Sequence, residues 1–398
     1  MVTYPQDWTP KQLKDLGYIQ MCRRIFQSQT KAYGVIPFYK ISTFGGTADA
    51  YISQEIYEKY KTLYPYPEKG DVLISATGTI GKTVVFDGKD SYFQDSNIVW
   101  LKVDKESIDR KFLWWFYRSY PWEGLEGTTI QRLYNSIILK TEIHLPKRPE
   151  QEEIARTLSQ FDTYIADLSE LIEKKRDIRD GALEDLTSGR TRLGGFKGDW
   201  EIIELGKKCE ITSSKRVFEK EWTKSGITFL RTRDIASFHS GEEQNDKLYI
   251  SEETYKEKVA SSGEPQKGDL LVTGVGTIGL PFLIDTDEKI YFKDGNILWI
   301  KKNEMLTSEW LYFLFLSKAA QRQIADNSGF TTVGTFTIKN AKKLRVPMPP
   351  ISEQKAITSV LISMNDEIKA LETERDKIIQ IREGAMDDLL TGRVRLSV

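Results

Sequence analysis

Apolar positions follow two rhythms that alternate along this chain. Short β-type runs at Asp71 to Ser75, Thr83 to Phe86 and Ile98 to Val103 precede an aromatic helix candidate, Arg110 to Tyr120 (RKFLWWFYRSY). Beyond the proline-marked stretch Leu145-Pro146-Lys147-Arg148-Pro149 the rhythm changes. Ile154, Leu158, Phe161, Ile165, Leu168 and Ile172 are spaced 4-3-4-3-4, which is the heptad of a coiled-coil seam. Both rhythms then recur: Ser308 to Ser317 (SEWLYFLFLS) is a second aromatic helix, and Val346-Pro347-Met348-Pro349-Pro350 leads into Ile357, Leu361, Met364, Ile368 and Leu371. The expected fold class is α+β, with two tandem globular domains at 1–149 and 196–349, each followed by a long helical spacer at 150–195 and 350–398. A helix of about 35 residues is roughly 50 Å long, with Gly189 and Gly392 suited to its C-terminal caps. Seams of matching length favour pairing the two helices as an antiparallel coiled coil.

The recurrence extends to sequence identity. Lys69 to Gly81 (KGDVLISATGTIG) returns as Lys267 to Gly279 (KGDLLVTGVGTIG), and Tyr92 to Leu101 (YFQDSNIVWL) as Tyr291 to Ile300 (YFKDGNILWI). Thr128-Thr129-Ile130 matches Thr331-Thr332-Val333, Arg179 to Leu193 (RDGALEDLTSGRTRL) matches Arg382 to Leu396 (REGAMDDLLTGRVRL), and Asp7-Trp8 answers Asp199-Trp200. Several blocks in one order are a duplication with small loop insertions. Copies of about 200 residues are too long for a solenoid repeat.

Length and composition fit folded domains throughout, and no apolar stretch approaches the roughly 18 residues a membrane span needs. The first residues lack a signal-peptide run, so the chain is expected to be soluble and cytoplasmic. Cys22 and Cys209 read as ordinary thiols, outside any metal-type pair. A net charge of −1 hides an uneven distribution: the globular parts sum to +5 and the helical parts to −6. Any nucleic acid is therefore directed to the globular parts.

Gly274-Val275-Gly276-Thr277-Ile278-Gly279 imitates a dinucleotide fingerprint, but Leu280 to Asp285 continues as a strand where a phosphate-binding helix would have to start. The shared Gly-Thr-Ile-Gly, residues 78–81 and 276–279, reads as a tight hairpin. Thr79 and Thr277 there suit either a plain turn or a phosphate contact, with Thr77 and Lys82 beside them. Ile36 to Lys40 aligns with Ile227 to Arg231, followed by Thr232-Arg233-Asp234. Arg231 and Lys40 at these strand ends suit base or phosphate contact, against the alternative of a solvated strand end. Arg23-Arg24 and Lys215-Arg216 occupy similar positions and suit backbone contacts, while Asn97 and Asn296 suit a turn-forming role, against the alternative of reading adenine.

Catalytic chemistry has little support. His144 and His239 have no counterparts between copies, and no Cys/His cluster has metal-ligand spacing. Glu173-Lys174-Lys175 lies on the heptad helix without an acidic partner, and no Asn-Pro-Pro-Tyr or Asp-Pro-Pro-Tyr run is present.

Gly-Asp-(Val/Leu)-Leu, Gly-Thr-Ile-Gly, the prolines before Glu150-Gln151 and Glu353-Gln354, and the closing Gly-Arg-x-Arg-Leu together resemble the specificity subunits of type I restriction-modification systems. The resemblance covers essentially the whole chain. It implies two target-recognition domains, each reading half of a split, asymmetric site on double-stranded DNA. It also implies that the helices set the gap and dock two methyltransferase subunits, with restriction (motor-nuclease) subunits joining them. S-adenosylmethionine, ATP and Mg are then expected in those partners, as is adenine methylation, and this chain itself carries no cofactor or metal. The DNA-contact candidates are Arg23, Arg24, Lys40, Thr77, Thr79, Lys82, Lys215, Arg216, Arg231, Thr232, Arg233, Thr277, Thr331 and Thr332. The seam positions from Ile154 to Leu168 and from Ile357 to Leu371 are the candidates for helix partners. The competing readings are a non-catalytic scaffold with duplicated protein-binding domains and a nucleotide-using domain built on the glycine turns.

Overall fold

A computed structural model describes residues 3–104, 106–122, 132–242, 246–327 and 334–397. The chain divides into two compact units, Met1–Ser169 with Thr373–Val398, and Glu170–Glu372. Each unit contains one globular domain and a part of each long helix.

In the first unit, Gly17–Gln20, Ile98–Val103, Val72–Ser75 and Thr83–Val85 form a four-stranded antiparallel sheet in that order. Leu73 pairs with Trp100, and both are fully buried. A smaller sheet joins Tyr51–Ile52, Ile36–Tyr39 and Tyr92–Phe93, the last two in parallel, and Thr9–Gln12 pairs with Glu142–Leu145. The aromatic helix Arg110–Ser119 buries Phe112, Leu113, Trp115 and Tyr117 in the main core.

The second unit repeats the plan. Its main sheet is ordered Ile211–Thr212, Ile297–Ile300, Leu270–Thr273 and Pro281–Leu283, with Leu271 opposite Trp299. A second sheet contains Trp222–Thr223, Leu248–Ile250, Ile227–Leu230 and Ile290–Phe292, and Glu201–Glu204 pairs with Arg345–Met348. The aromatic helix is Ser308–Leu316. Strand Pro281–Leu283 follows the glycine run directly, so no helix starts from those glycines.

The long helices run from Arg148 to Ser188 and from Ile351 to Thr391, 41 residues each, or about 60 Å at 1.5 Å per residue. Within the first unit their segments are antiparallel: Asp162 accepts from Arg382 at 2.7 Å, and Tyr164 donates to Glu374 at 2.5 Å. The second unit shows the same sense, with Arg176 paired to Glu372, Lys175 to Glu367 and Arg179 to Asn365. Gly189 and Gly392 follow the helix ends at φ +75° and +71°. A Cβ at Gly392 would stand 2.5 Å from the Pro5 ring, so glycine is required for space as well as for backbone conformation.

The heptad faces are spent inside the chain. Ile154 and Leu158 are fully buried in the first unit's core beside Trp115, and that core also takes in Leu389 and Leu390 from the second helix. Ile357 and Leu361 lie in the second unit's core, together with Leu183 and Leu186 of the first helix. Leu168 and Ile368 are buried, while Phe161, Ile165, Met364 and Leu371 are half-buried. Burial of the seam leaves the outer faces of these helices as the exposed surface. Periodicity identified the apolar face correctly but does not say what covers it.

Candidate nucleic-acid interface

Each domain gathers its polar loops at one end of its sheets, and local hydrogen bonds explain why. In the first unit Ser75 closes the glycine loop: its Oγ donates to Thr79 O at 2.5 Å and accepts from Lys82 N at 2.9 Å. Thr273 does the same in the second unit, donating to Thr277 O at 2.5 Å and accepting from Leu280 N at 2.9 Å. The Gly-Thr-Ile-Gly segment is therefore not a tight hairpin. It is a wider loop folded around one buried hydroxyl, with Thr79 and Thr277 exposed in the loop, Lys82 exposed at its base opposite Ser75, and Thr77 half-buried.

The loop following Tyr92–Phe93 lies against it. Asn97 O accepts from Ala76 N at 2.7 Å, and Asn296 O accepts from Gly274 N at 2.7 Å. These backbone contacts fit the turn-forming expectation for both asparagines. Ser96 stands at φ +61° where the second copy has Gly295 at +68°, which makes it the one non-glycine residue in the left-handed region among the described residues. Gln94 ties in the end of the early strand, because its Oε1 accepts from Ile41 N at 2.9 Å. Arg132 donates to Ser96 O at 3.0 Å and brings in the exposed Tyr134.

Arg23 and Arg24 border the same loop. Arg24 pairs with Asp95 at 2.9 Å and Arg216 pairs with the equivalent Asp294 at 3.3 Å. Arg23 and Lys215 are exposed, with Arg23 placed over the Tyr64 ring at 5.2 Å. Two concavities of about 490 and 380 Å³ meet at Met21. One is lined by Arg23, Arg24, Phe26, Tyr64 and Asp95, the other by Ser96, Arg132, Tyr134 and Asn135. Cations and aromatic rings thus interleave on one surface, which is the chemistry a sugar-phosphate backbone with stacked bases requires.

The remaining candidates divide. Lys40 is exposed in part and paired with Asp49 at 2.9 Å. Arg231 is only 11% exposed; it pairs with Asp234 at 2.8 Å and with Asp246, and it caps helix Thr232–Ser240. The sequence placed these residues on a strand end, whereas Thr232 and Arg233 occupy the first helical turn. A guanidinium already gripping two carboxylates is not free to grip guanine, so Arg231 chiefly presents the more exposed Arg233, itself paired with Asp246. Thr331 and Thr332, with their counterparts Thr128 and Thr129, lie outside the described residues. The sequence reading missed Phe26, Tyr64, Ser96, Arg132 and Tyr134. For Phe26 a signal existed, because Arg23-Arg24-Ile25-Phe26 recurs as Lys215-Arg216-Val217-Phe218.

The family blocks that are not at this surface have structural roles. Glu353, fully buried, receives Arg192 at 2.5 and 2.7 Å and Trp200 Nε1 at 2.9 Å. In the first unit Glu150 and Asp7 receive Arg395, whose guanidinium lies over Trp8. Gln151 accepts from Asp109 N and Gln354 from Thr307 N, fixing the starts of the two aromatic helices. Burial pushes the Cys22 thiol up to about 12 and Cys209 up to about 11, so neither is a thiolate nucleophile at neutral pH. Among the described residues no group of His, Cys, Asp or Glu is placed to hold a metal ion, and no helix is long and apolar enough to cross a membrane.

Comparison with known proteins gives consistent findings. The family described as type I restriction modification DNA specificity domain matches residues 5–175 and again 197–381. A putative type I restriction enzyme specificity subunit of Haemophilus influenzae is 51% identical over 159 residues, covering 40% of this chain and 41% of that protein. A putative type I specificity subunit of Methanocaldococcus jannaschii is 26% identical over 98% of this chain and 95% of its own length. The crystal structure of an S subunit from M. genitalium shares the fold, with a TM-score of 0.55, 18% identity and 96% coverage of both chains.

Proposed function

Since this chain belongs to the type I restriction-modification DNA specificity family, we propose that it is the non-catalytic subunit that recognises double-stranded DNA for such a complex. Residues 1–149 and 196–349 each read one half of a bipartite, asymmetric site. The spacers 150–195 and 350–398 set the gap between the halves. The observation that carries this reading is the recurrence of one loop cluster, with its paired cation and carboxylate, in two domains joined by antiparallel helices. Arg23, Arg24, Lys40, Lys82, Lys215, Arg216 and Arg233 are the cations offered to DNA, with Thr77, Thr79 and Thr277 as hydroxyl donors.

Methyltransferase subunits, carrying S-adenosylmethionine, dock on the outer helix faces. Equivalent exposed apolar residues, Ile178 at 58% and Ile381 at 43%, support one subunit per copy. Motor-nuclease subunits using ATP and Mg complete the assembly. The test is to sequence host DNA for methyladenine with and without this chain. Methylation confined to one split motif that disappears with the chain is expected. Methylation that persists unchanged without it contradicts the proposal.

A further inference from the structure

The residues that differ between the two domains are free to read different bases, whereas a surface feature kept in both must serve what the half-sites share. One such feature is not explained by packing. In Arg23-Arg24-Ile25-Phe26 and Lys215-Arg216-Val217-Phe218, the third residue is buried and the fourth is not: Ile25 and Val217 are 8% and 6% exposed, Phe26 and Phe218 59% and 54%. Both rings are held out by the same construction. Phe26 N donates to Gln29 Oε1 at 2.9 Å and Phe218 N to Glu221 Oε2 at 2.7 Å, each opening a single helical turn. The preceding arginine anchors the segment to the aspartate of the neighbouring loop in both copies. An exposed phenylalanine costs solubility, and one three residues from the exposed Arg23 or Lys215 is placed for an apolar surface bordered by anions.

We propose that Phe26 and Phe218 are duplex-contact residues, whose rings lie against the sugar and base edges of a DNA groove while Arg23 and Lys215 bind the flanking phosphates. This rests on the DNA-recognition reading and deepens it. Because the element is common to both domains, it supplies affinity and orientation without choosing bases. Glu219 and Glu221 stand in the second copy where the first has Gln27 and Gln29, so the first copy carries more of the affinity.

The test measures binding of the full chain to a mixed-sequence duplex at several salt concentrations. Phe26→Ala is expected to weaken binding about tenfold, Phe218→Ala by less, and the double variant by more than either. The dependence on salt is unchanged in these variants, whereas Arg23→Ala lowers its slope by about 0.9. Phe26→Tyr keeps the ring and keeps affinity, and an unaltered unfolding transition shows that the alanine variants fold. The motif selected from a random library stays the same for both alanine variants. Wild-type affinity in the folded double variant overturns the proposal, and so does intact DNA affinity with lost methyltransferase binding, which assigns the rings to a protein partner. Failure of the unsubstituted chain to bind any duplex rejects the DNA reading itself.

Discussion

Glu353 shows how a residue pair can close a domain. Its carboxylate is fully buried and takes two of the three guanidinium nitrogens of Arg192 along with the indole N–H of Trp200. Glu353→Ala leaves those donors without an acceptor and is expected to cost about 2 to 3 kcal/mol, read as a lower midpoint in urea with an unchanged slope. An unaltered midpoint would mean that the pair is dispensable. Asp7 adds a pH dependence. The hydrogen bond from Arg395 holds its carboxyl below the usual range. Its folded pKa is depressed, so its contribution is complete above the unfolded value of about 4 and is lost as pH falls through the lower folded value. Arg395→Ala should remove that acid-side component, measured as a smaller loss of stability as pH falls below about 4. Ser96 is the reverse case, a residue in a glycine conformation. Ser96→Gly is expected to stabilise by about 0.5 to 1 kcal/mol, since Gly295 already occupies the equivalent position. Little of this was legible beforehand: Arg231 faces Asp234 three residues on, yet its second partner Asp246 comes from a separate segment.

At the scale of elements, the sequence was most readable where physics repeats along the chain. The β-runs, both aromatic helices and the long helices with their glycine ends all lie where periodicity and punctuation put them. The glycine loops were read as too tight, because a buried Ser75 or Thr273 hydroxyl replaces turn hydrogen bonds in a way no turn motif announces. The seam reads as a helix-pairing face, and part of it is covered by the domain cores, because an apolar stripe looks the same whether it faces a helix or a domain core. Leu389 tests the difference. It lies on the second helix but is 4% exposed in the core of the first unit. Leu389→Ala should cost about 2 to 4 kcal/mol and lower amide-exchange protection in strands Val72–Ser75 and Ile98–Val103. Protection lost only within the helix would separate it from that core.

At the scale of the whole molecule, two domains built on one plan present equivalent loop clusters, and in the proposed function the chemistry of cutting or methylating DNA lies in other subunits. A partner interface on the outer helix faces predicts that Ile178→Glu with Ile381→Glu leaves the unfolding midpoint unchanged and abolishes co-purification with the methyltransferase. The duplication was visible in the sequence, but the convergence of loops from residues 23, 40, 77, 95 and 132 was not, because those segments meet only in the folded domain. The most direct test of a two-reader subunit is selection from a random duplex library by the full chain assembled with its methyltransferase. Enrichment of two short unrelated half-sites separated by one fixed gap of unselected bases is predicted. A single contiguous motif, or half-sites at variable separation, would contradict it.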